Sequence, residues 1–179
     1  MSYFNRFPTM IYDMKNDGNY KLLPDILRRV KQRSAIKDGQ FIFDNYDVVE
    51  GEKPEDVAYK WFGDAQLHWV ILMTNNVLDR YYDWPMNQAQ FAEFLTDKYG
   101  TNMDAVHHYE ITKDSGRTTG QGPNDYSYLV EVNSDTVNAT SISNRQYEER
   151  EQDKKRQIQL LNKSFLGDFI DEFDKLITE

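Results

Sequence analysis

The fold is decided by residues 44–84, which read DNYDVVEGEKPEDVAYKWFGDAQLHWVILMTNNVLDRYYDW and form the densest apolar and aromatic run in the chain. Alternating apolar residues over positions 41–49 predict a strand with one buried face, which Gly51 ends. Pro54 suits the first turn of a helix, where no N–H is needed, and Glu55-Asp56 suits the positive helix N-terminus. This half of the stretch therefore predicts a strand followed by a helix.

The second half of the stretch predicts a buried helix and a return strand. Gly63-Asp64 ends the first helix and begins the next. Residues 65–74, AQLHWVILMT, are apolar on nearly every side, which indicates a helix inside the core. Asn75-Asn76 is a turn signal, after which we expect Val77-Leu78 to begin a return strand. Residues 41–85 are thus predicted to form a βααβ module.

The residues before this module predict an N-terminal arm and helix over positions 1–40. Residues 2–14 carry aromatic and apolar side chains around Pro8. Because an exposed aromatic arm would risk aggregation, it should pack on its own core or on a partner. Residues 16–19, Asn-Asp-Gly-Asn, predict a loop. Residues 24–36 predict a helix whose apolar stripe consists of Leu23, Ile26, Leu27 and Val30.

After the module, residues 86–143 predict one helix and a small sheet. A helix is expected over positions 88–99, ended by Gly100. Residues 106–111 and 126–132 predict two strands, and the glycine-containing residues 113–125 between them predict a loop. Residues 133–144 are polar. The economical interpretation is an antiparallel hairpin with a long tip, and the chain as a whole is predicted to have an α+β fold.

Residues 144–179 predict a charged connector followed by an amphipathic helix. The connector, RQYEEREQDKKRQ, contains almost no apolar residue and is not expected in a core. Apolar residues then recur at spacings of three and four from Ile158 to Leu176, over a stripe wider than a coiled-coil seam. The sequence leaves open whether this helix docks on its own chain or on a neighbour. The polar connector in front of it favours a partner.

Composition excludes several classes of function. The chain has 179 residues with a net charge of −9 and a pI near 4.8, which argues against a general nucleic-acid binder and against adhesion to an anionic membrane. Without cysteine, neither a disulfide nor a thiolate metal site can form. No apolar run approaches the roughly 20 residues of a membrane span, and the N-terminus shows no secretory signal. We therefore expect a soluble protein made in a cytoplasm.

Aromatic residues are abundant, with twelve Tyr, ten Phe and three Trp making 14% of the chain. Tyr, Trp and Phe are enriched at protein interfaces, so part of this aromatic surface is expected to contact other proteins. The alternative is that the aromatic side chains fill small cores.

No residue pattern predicts catalysis. His107 and His108 on a strand should point to opposite faces and so should not share a metal ion, while His108 and Glu110 supply only two ligands. His68 lies within an apolar helix and is expected to be a core or interface residue. The glycine-containing loop lacks the Gly-Lys-Ser/Thr of a phosphate-binding loop, and no Ser-centred elbow is present. We predict a protein that is not an enzyme and holds no cofactor or metal.

The central stretch resembles a LysM-type module. The resemblance rests on Val48-Val49-Glu50-Gly51-Glu52, Glu55-Asp56-Val57-Ala58, Trp61-Phe62-Gly63-Asp64, Trp69-Val70-Ile71-Leu72 and Asn75-Asn76-Val77-Leu78. Trp69 and Asp83-Trp84-Pro85 are similar to the variant in tail proteins of contractile-tailed bacteriophages. Further blocks extend the likeness along the chain: Phe4-Asn5-Arg6-Phe7-Pro8, Tyr147-Glu148-Glu149-Arg150 and Phe169-Ile170-Asp171-Glu172-Phe173. The whole resembles the baseplate wedge subunit of that phage class that carries a LysM-like domain.

This resemblance implies a structural subunit of the virion, assembled in the host cytoplasm into a six-fold tail baseplate. Its partners would be other wedge proteins and the hub, and it would fasten neighbouring wedges together. The candidate contact residues are Phe4, Phe7, Ile11, Tyr12, Tyr81, Tyr82, Trp84, Phe165, Phe169, Phe173 and Leu176. The alternative function is binding of peptidoglycan, an N-acetylglucosamine polymer, through the loops at residues 49–53 and 75–79.

Overall fold

The computed structural model describes residues 3–30, 42–112 and 129–178. Helices and strands are mixed, which confirms the predicted α+β class. The elements in chain order are β1 (Thr9–Tyr12), β2 (Lys21–Pro24), β3 (Phe43–Asp47), α1 (Pro54–Phe62), α2 (His68–Thr74), α3 (Gln88–Tyr99), β4 (Val106–Thr112), β5 (Leu129–Val132), β6 (Thr140–Ser143), α4 (Asn144–Arg156), β7 (Gln157–Leu161) and α5 (Leu166–Thr178). Short 3-10 turns lie at Tyr3–Arg6, Ala65–Leu67, Gly100–Asn102 and Lys163–Phe165.

The chain divides into two compact units. The first unit combines Met1–Pro85 with Lys155–Glu179, and the second is Met86–Lys154. The two ends of the chain thus belong to one unit, because the last strand and the last helix return to the N-terminal half.

The two helices of the central stretch form where the sequence predicts them. Pro54 lies in the first turn of α1, and Gly63 ends this helix in a left-handed conformation with a φ of 83°, which glycine adopts without strain. The Asp64 side chain accepts a hydrogen bond from the Gln66 N–H at 2.8 Å and so begins the next turn. Trp69, Val70 and Ile71 of α2 are buried, as the all-round apolar pattern predicts.

The predicted return strand at Val77-Leu78 is wrong, because these residues adopt no strand. The partner of β3 is instead β7, in an antiparallel register from Phe43↔Leu161 to Asp47↔Gln157. At the outer edge of β7, the Asn75 side-chain amide takes the place of a third strand. It accepts a hydrogen bond from the Gln159 N–H at 2.8 Å and donates one to the Gln159 carbonyl at 2.8 Å. The βααβ order therefore closes with a strand from the far end of the chain.

The C-terminal segment also differs from its prediction. Helix α5 begins at Leu166, whereas Ile158, Leu160 and Leu161 lie on β7 and are buried. The charged residues before them form the helix α4. Because apolar positions at both 158/160 and 158/161 satisfy strand and helix spacing alike, the pattern alone did not separate the two.

Helix α5 docks on its own chain. The prediction that it docks on a partner is therefore wrong. Its residues Phe173 and Ile177 join the core cluster of Phe7, Phe43, Trp69, Val70 and Leu161. A second cluster contains Val48, Val57, Ala58, Ile71, Trp84, Ile158 and Leu160. These two clusters hold the first unit together, since burial of apolar area is the main stabilising contribution in a small unit.

The second unit contains α3 and a three-stranded sheet with the order β5-β4-β6. The α3 helix has the predicted limits, with the Asn87 side chain accepting from the Gln90 N–H and Gly100 at its C-terminus. The β4–β5 pairing confirms the predicted hairpin, whose tip lies outside the described residues, and β6 adds a third strand that the sequence interpretation missed.

The helix predicted over residues 24–36 is wrong for the part that the structure describes. Pro24 ends β2, Ile26 and Leu27 form a turn, and the rest of residues 25–30 has no regular secondary structure. The remainder of that prediction falls outside the described residues. Within the described residues, no helix is both long enough and apolar enough to cross a membrane.

Candidate interaction surface

The N-terminal arm is fixed to the core at its first residues. Phe7 is buried, and the Tyr3 ring contacts the rings of Phe7 at 4.9 Å and Trp69 at 5.5 Å between centroids. The Arg6 guanidinium pairs with the Asp174 carboxylate of α5 and lies 5.6 Å from the centroid of the Trp69 ring. The first residues of the arm are therefore fixed against the core by these contacts.

A second anchor follows β2. The Arg28 guanidinium donates to the carbonyl of Ile177 at 3.0 Å, near the C-terminus of α5, where a cation also interacts favourably with the helix dipole. The same side chain contacts the Asp25 carboxylate at 3.2 Å, and the Asp25 N–H donates to the Pro8 carbonyl at 2.7 Å. The segment from Thr9 to Pro24 is therefore held at both ends. Arg6 before it and Arg28 after it contact α5, and Asp25 and Pro8 hydrogen-bond to each other.

Between these anchors lies an exposed antiparallel hairpin, formed by β1 and β2. No residue of either strand is buried. The register places Ile11 opposite Leu22, so both side chains lie on one face, and they are 68% and 71% exposed. The Asp13 carboxylate closes the connection by accepting hydrogen bonds from the N–H groups of Lys15 and Gly18.

We call the exposed apolar residues of this segment the hairpin surface: Ile11, Tyr12, Met14, Tyr20, Leu22, Leu23, Ile26 and Leu27. An isolated two-stranded hairpin is marginally stable in water, and a group of large exposed apolar side chains is a candidate interaction site. The sequence prediction included Ile11 and Tyr12, assigned Leu23, Ile26 and Leu27 to a helical stripe, and did not single out Leu22. The signal that could have found them is Asp17-Gly18, a turn dipeptide between two apolar runs.

A second exposed aromatic group lies on the loop after α2. Tyr81 and Tyr82 are 78% and 61% exposed. The loop is held by the Asp83 carboxylate, which accepts from the N–H groups of Asp79 at 2.9 Å and Leu78 at 3.0 Å. These two hydrogen bonds lower the pKa of the Asp83 carboxyl. The two tyrosines are therefore presented to solvent by a fixed loop.

Three predicted contact residues are buried inside the first unit. Phe7 and Phe173 lie in the first core cluster, and Trp84 lies in the second, where its indole N–H donates to the Glu52 carbonyl at 2.8 Å. A side chain inside a packed core presents little area to a partner, so we do not include these three residues in the candidate surface. Phe169 packs against the first cluster, while Phe4, Phe165 and Leu176 keep exposed area.

The two loops expected to bind a glycan are engaged in internal contacts. The Glu52 carboxylate is buried and accepts hydrogen bonds from the Tyr46 hydroxyl at 3.0 Å and the Val49 N–H at 3.1 Å, and it pairs with Lys60. Asn75 holds the edge of β7, as described above. A groove of about 560 Å³ lies beside Asn75 and is lined by residues 45–47, 74–75 and 157–159. The one aromatic side chain in that lining is Tyr46, whose hydroxyl is already bonded.

The predicted histidine geometry is wrong. His107 and His108 do not diverge: their Nδ1 atoms lie 2.9 Å apart. The register of β4 against β6 shifts between Val106 and His108, and this irregularity breaks the alternation of side chains that the prediction assumed. Within the described residues, no group of three or more potential metal ligands occurs. The His68 Nδ1 contacts the Ala65 carbonyl at 2.9 Å, within its own helical turn.

Comparison with known proteins gives two matches that agree. A family model described as "Base plate wedge protein 53" matches residues 15–118, more than half of the chain. The chain is also 24% identical over 174 residues to the baseplate wedge protein gp53 of Enterobacteria phage T4, covering 87% of this chain and 84% of that protein.

Proposed function

Because the chain belongs to the base plate wedge protein 53 family, and so is a structural subunit of a phage tail baseplate, we propose that it fastens neighbouring wedge proteins together around the hub. It associates with other baseplate proteins, and its site of action is the virion tail. In this proposal the assembly is six-fold and forms in the host cytoplasm.

The hairpin surface is the observation that carries this proposal. Its apolar side chains are exposed, yet the segment is anchored at both ends by Arg6 and Arg28 on the helix α5. An anchored segment loses less conformational freedom on binding than a free arm, so more of its apolar burial appears as affinity. We propose that a neighbouring baseplate protein covers the Ile11 and Leu22 face.

The exposed aromatic loop provides a second contact in this proposal. Tyr81 and Tyr82 offer large apolar area with a polar hydroxyl, the combination enriched at protein interfaces. A subunit that joins two neighbours needs at least two separate surfaces. The hairpin surface and this loop supply them.

The protein acts without catalysis in this proposal. The buried carboxylates of Glu52, Glu110 and Glu148 pair with Lys60, Arg150 and Lys98 respectively. Hydrogen bonds from Arg150 lower the pKa of the Glu110 carboxyl, whereas a general acid at neutral pH needs a raised pKa.

The test is co-assembly of the full chain with the other wedge proteins and hub of its own baseplate, followed by sedimentation velocity. The variant Ile11→Ser/Leu22→Ser makes the exposed face polar while keeping the strands. We expect the wild-type chain to enter the large complex and this variant to remain at the sedimentation rate of the free chain. Circular dichroism should give the same spectrum for both, because neither side chain is buried in the free protein.

The matched control is Val137→Ser, which removes a comparably exposed apolar side chain from the second unit. It should enter the complex as the wild type does. Failure of the wild-type chain to enter would contradict the fastening function itself. Entry of the Ile11→Ser/Leu22→Ser variant at wild-type affinity would contradict the role of the hairpin surface alone.

Peptidoglycan binding is the second candidate, and the exposed pair Tyr81 and Tyr82 beside the 75–79 loop favours it. Aromatic rings next to hydrogen-bonding groups suit sugar rings. Retention of the full chain on purified peptidoglycan, abolished in Tyr81→Ala/Tyr82→Ala, would support this candidate. Equal passage of both proteins through the column would reject it.

A further inference from the structure

Two adjacent imidazoles of the second unit converge on one point. The Nδ1 atoms of His107 and His108 are 2.9 Å apart, and the two rings are nearly perpendicular at 83°. Each Nδ1 carries a lone pair when the proton resides on Nε2, so this pair of atoms can hold either one shared proton or one cation. His107 is exposed, which leaves the convergence point open to solvent.

Both rings are held in place by neighbours on other positions of the unit. The His107 ring stacks on the Tyr147 ring of α4, with 4.0 Å between centroids and 8° between planes. His108 Nε2 faces the Glu110 carboxylate at 3.7 Å. Glu110 in turn accepts hydrogen bonds from the two Arg150 Nη atoms at 2.8 and 2.9 Å. A carboxylate on the far nitrogen favours the tautomer that leaves Nδ1 free for a metal ion.

From these contacts we infer that His107 and His108 form a two-histidine site for a divalent transition-metal ion, bound through both Nδ1 atoms. At a metal–nitrogen distance of about 2.0 Å, the two atoms subtend roughly 90° at the ion. That angle fits neighbouring positions of square-planar or octahedral geometry, which Cu²⁺ and Ni²⁺ prefer, better than the wider tetrahedral angle of Zn²⁺. Water completes the coordination, since no third His, Cys, Asp or Glu among the described residues joins the pair.

The test is isothermal titration calorimetry of the untagged full chain with Ni²⁺ and with Cu²⁺. His107→Phe keeps the aromatic stack on Tyr147 but removes the ligand nitrogen, and His108→Gln removes the second ligand. We expect saturable binding of one ion by the wild type and an affinity at least about tenfold weaker in either variant. His68→Ala is the matched control and should bind as the wild type does.

Binding of equal strength in His107→Phe or His108→Gln would overturn the inference, as would the lack of saturable binding by the wild-type chain. An equal loss in His68→Ala would overturn it as well. Thermal unfolding of each variant in buffer without metal, compared with the wild type, separates loss of the site from loss of the fold.

Discussion

Asn75 is the residue that replaces the missing return strand. Its side chain donates to the carbonyls of Ile71 and Gln159 and accepts from the Gln159 N–H, all at 2.8–2.9 Å. One carboxamide thus ends the helix α2 and satisfies the outer edge of β7. A single side chain with the shape of a peptide group can do this because it carries both a donor and an acceptor.

Asn75→Ala should lower the free energy of unfolding by about 1–3 kcal/mol, since it leaves the backbone of Gln159 without these partners. Urea denaturation followed by tryptophan fluorescence measures the change. Asn76→Gly is the control at the next residue. Because Asn76 has a φ of 52°, glycine suits its conformation, and this variant should stay near the wild type. Equal stability of Asn75→Ala and wild type would contradict the role given to Asn75.

The Glu110–Arg150 pair makes stability depend on pH. Hydrogen bonds from Arg150 lower the pKa of the Glu110 carboxyl below its ordinary value. The stabilisation from a lowered carboxyl pKa is present above the unfolded-state pKa, about 4.3, and is lost as pH falls through the folded-state value. Between about pH 5 and pH 3, the melting temperature of the wild type should therefore fall more steeply than that of Glu110→Gln.

The control for this pH dependence is Asp135→Asn, which makes the same change of charge at an exposed residue of the same unit without touching the ion pair. Parallel melting curves for wild type and Glu110→Gln over this pH range would show that the ion pair contributes nothing.

At the scale of elements, α5 packs one face into the core and leaves another face exposed to solvent. Phe173 is 2% exposed and Leu176 is 41% exposed on the same helix. Phe173→Ala should lower the free energy of unfolding by about 3–5 kcal/mol because it opens a cavity beside Trp69. Leu176→Ala should change it by less than about 1 kcal/mol. Thermal or chemical unfolding of both variants checks this difference, and similar losses in the two would contradict the docking of α5.

The packing of β7 and α5 in the core determines the effect of a C-terminal deletion. Deletion of residues 158–179 removes α5 and all of β7 except Gln157. The two core clusters then lose Leu160, Leu161 and Phe173. We expect that truncation to unfold the first unit rather than to remove a free binding helix. Point substitutions at exposed positions are the better probes of partner contacts.

Local signals predicted α1 and α3, whereas pairings between residues far apart in the sequence could not be predicted from local patterns. Pro54, Gly63 and Gly100 each punctuate a helix by their own backbone chemistry, so α1 and α3 appear at the predicted positions. The pairing of Phe43 with Leu161 depends on residues far apart in sequence, and no local pattern reveals it. The convergence of His107 and His108 depends on a shift of strand register, which the ideal alternation of a strand does not include.

The sequence predicted some residues of the candidate surface and missed others. Ile11, Tyr12, Tyr81 and Tyr82 are exposed aromatic or apolar residues, as expected of contact residues. Leu23 was assigned to a helix because Leu23, Ile26, Leu27 and Val30 fit a helical stripe, and Leu22 was not singled out. Periodicity alone does not separate a short apolar strand followed by turns from the first turns of a helix.

At the scale of the whole molecule, the chain combines a packed core with exposed apolar side chains on the hairpin surface and on the loop of Tyr81 and Tyr82. The net charge of −9 favours solubility of the free protein, whose hairpin surface is exposed. In the proposal above, the partner is another baseplate protein. The burial of Phe7 and Phe173 favours the hairpin over the last helix as the segment that contacts it.

Hydrogen–deuterium exchange of the chain, free and assembled into the baseplate, tests this claim most directly. The claim predicts that amides of β1, β2 and the turn between them exchange fast in the free chain and become strongly protected on assembly, because a neighbour covers the hairpin surface. Unchanged exchange in this segment, with new protection confined to other parts of the chain, would contradict it.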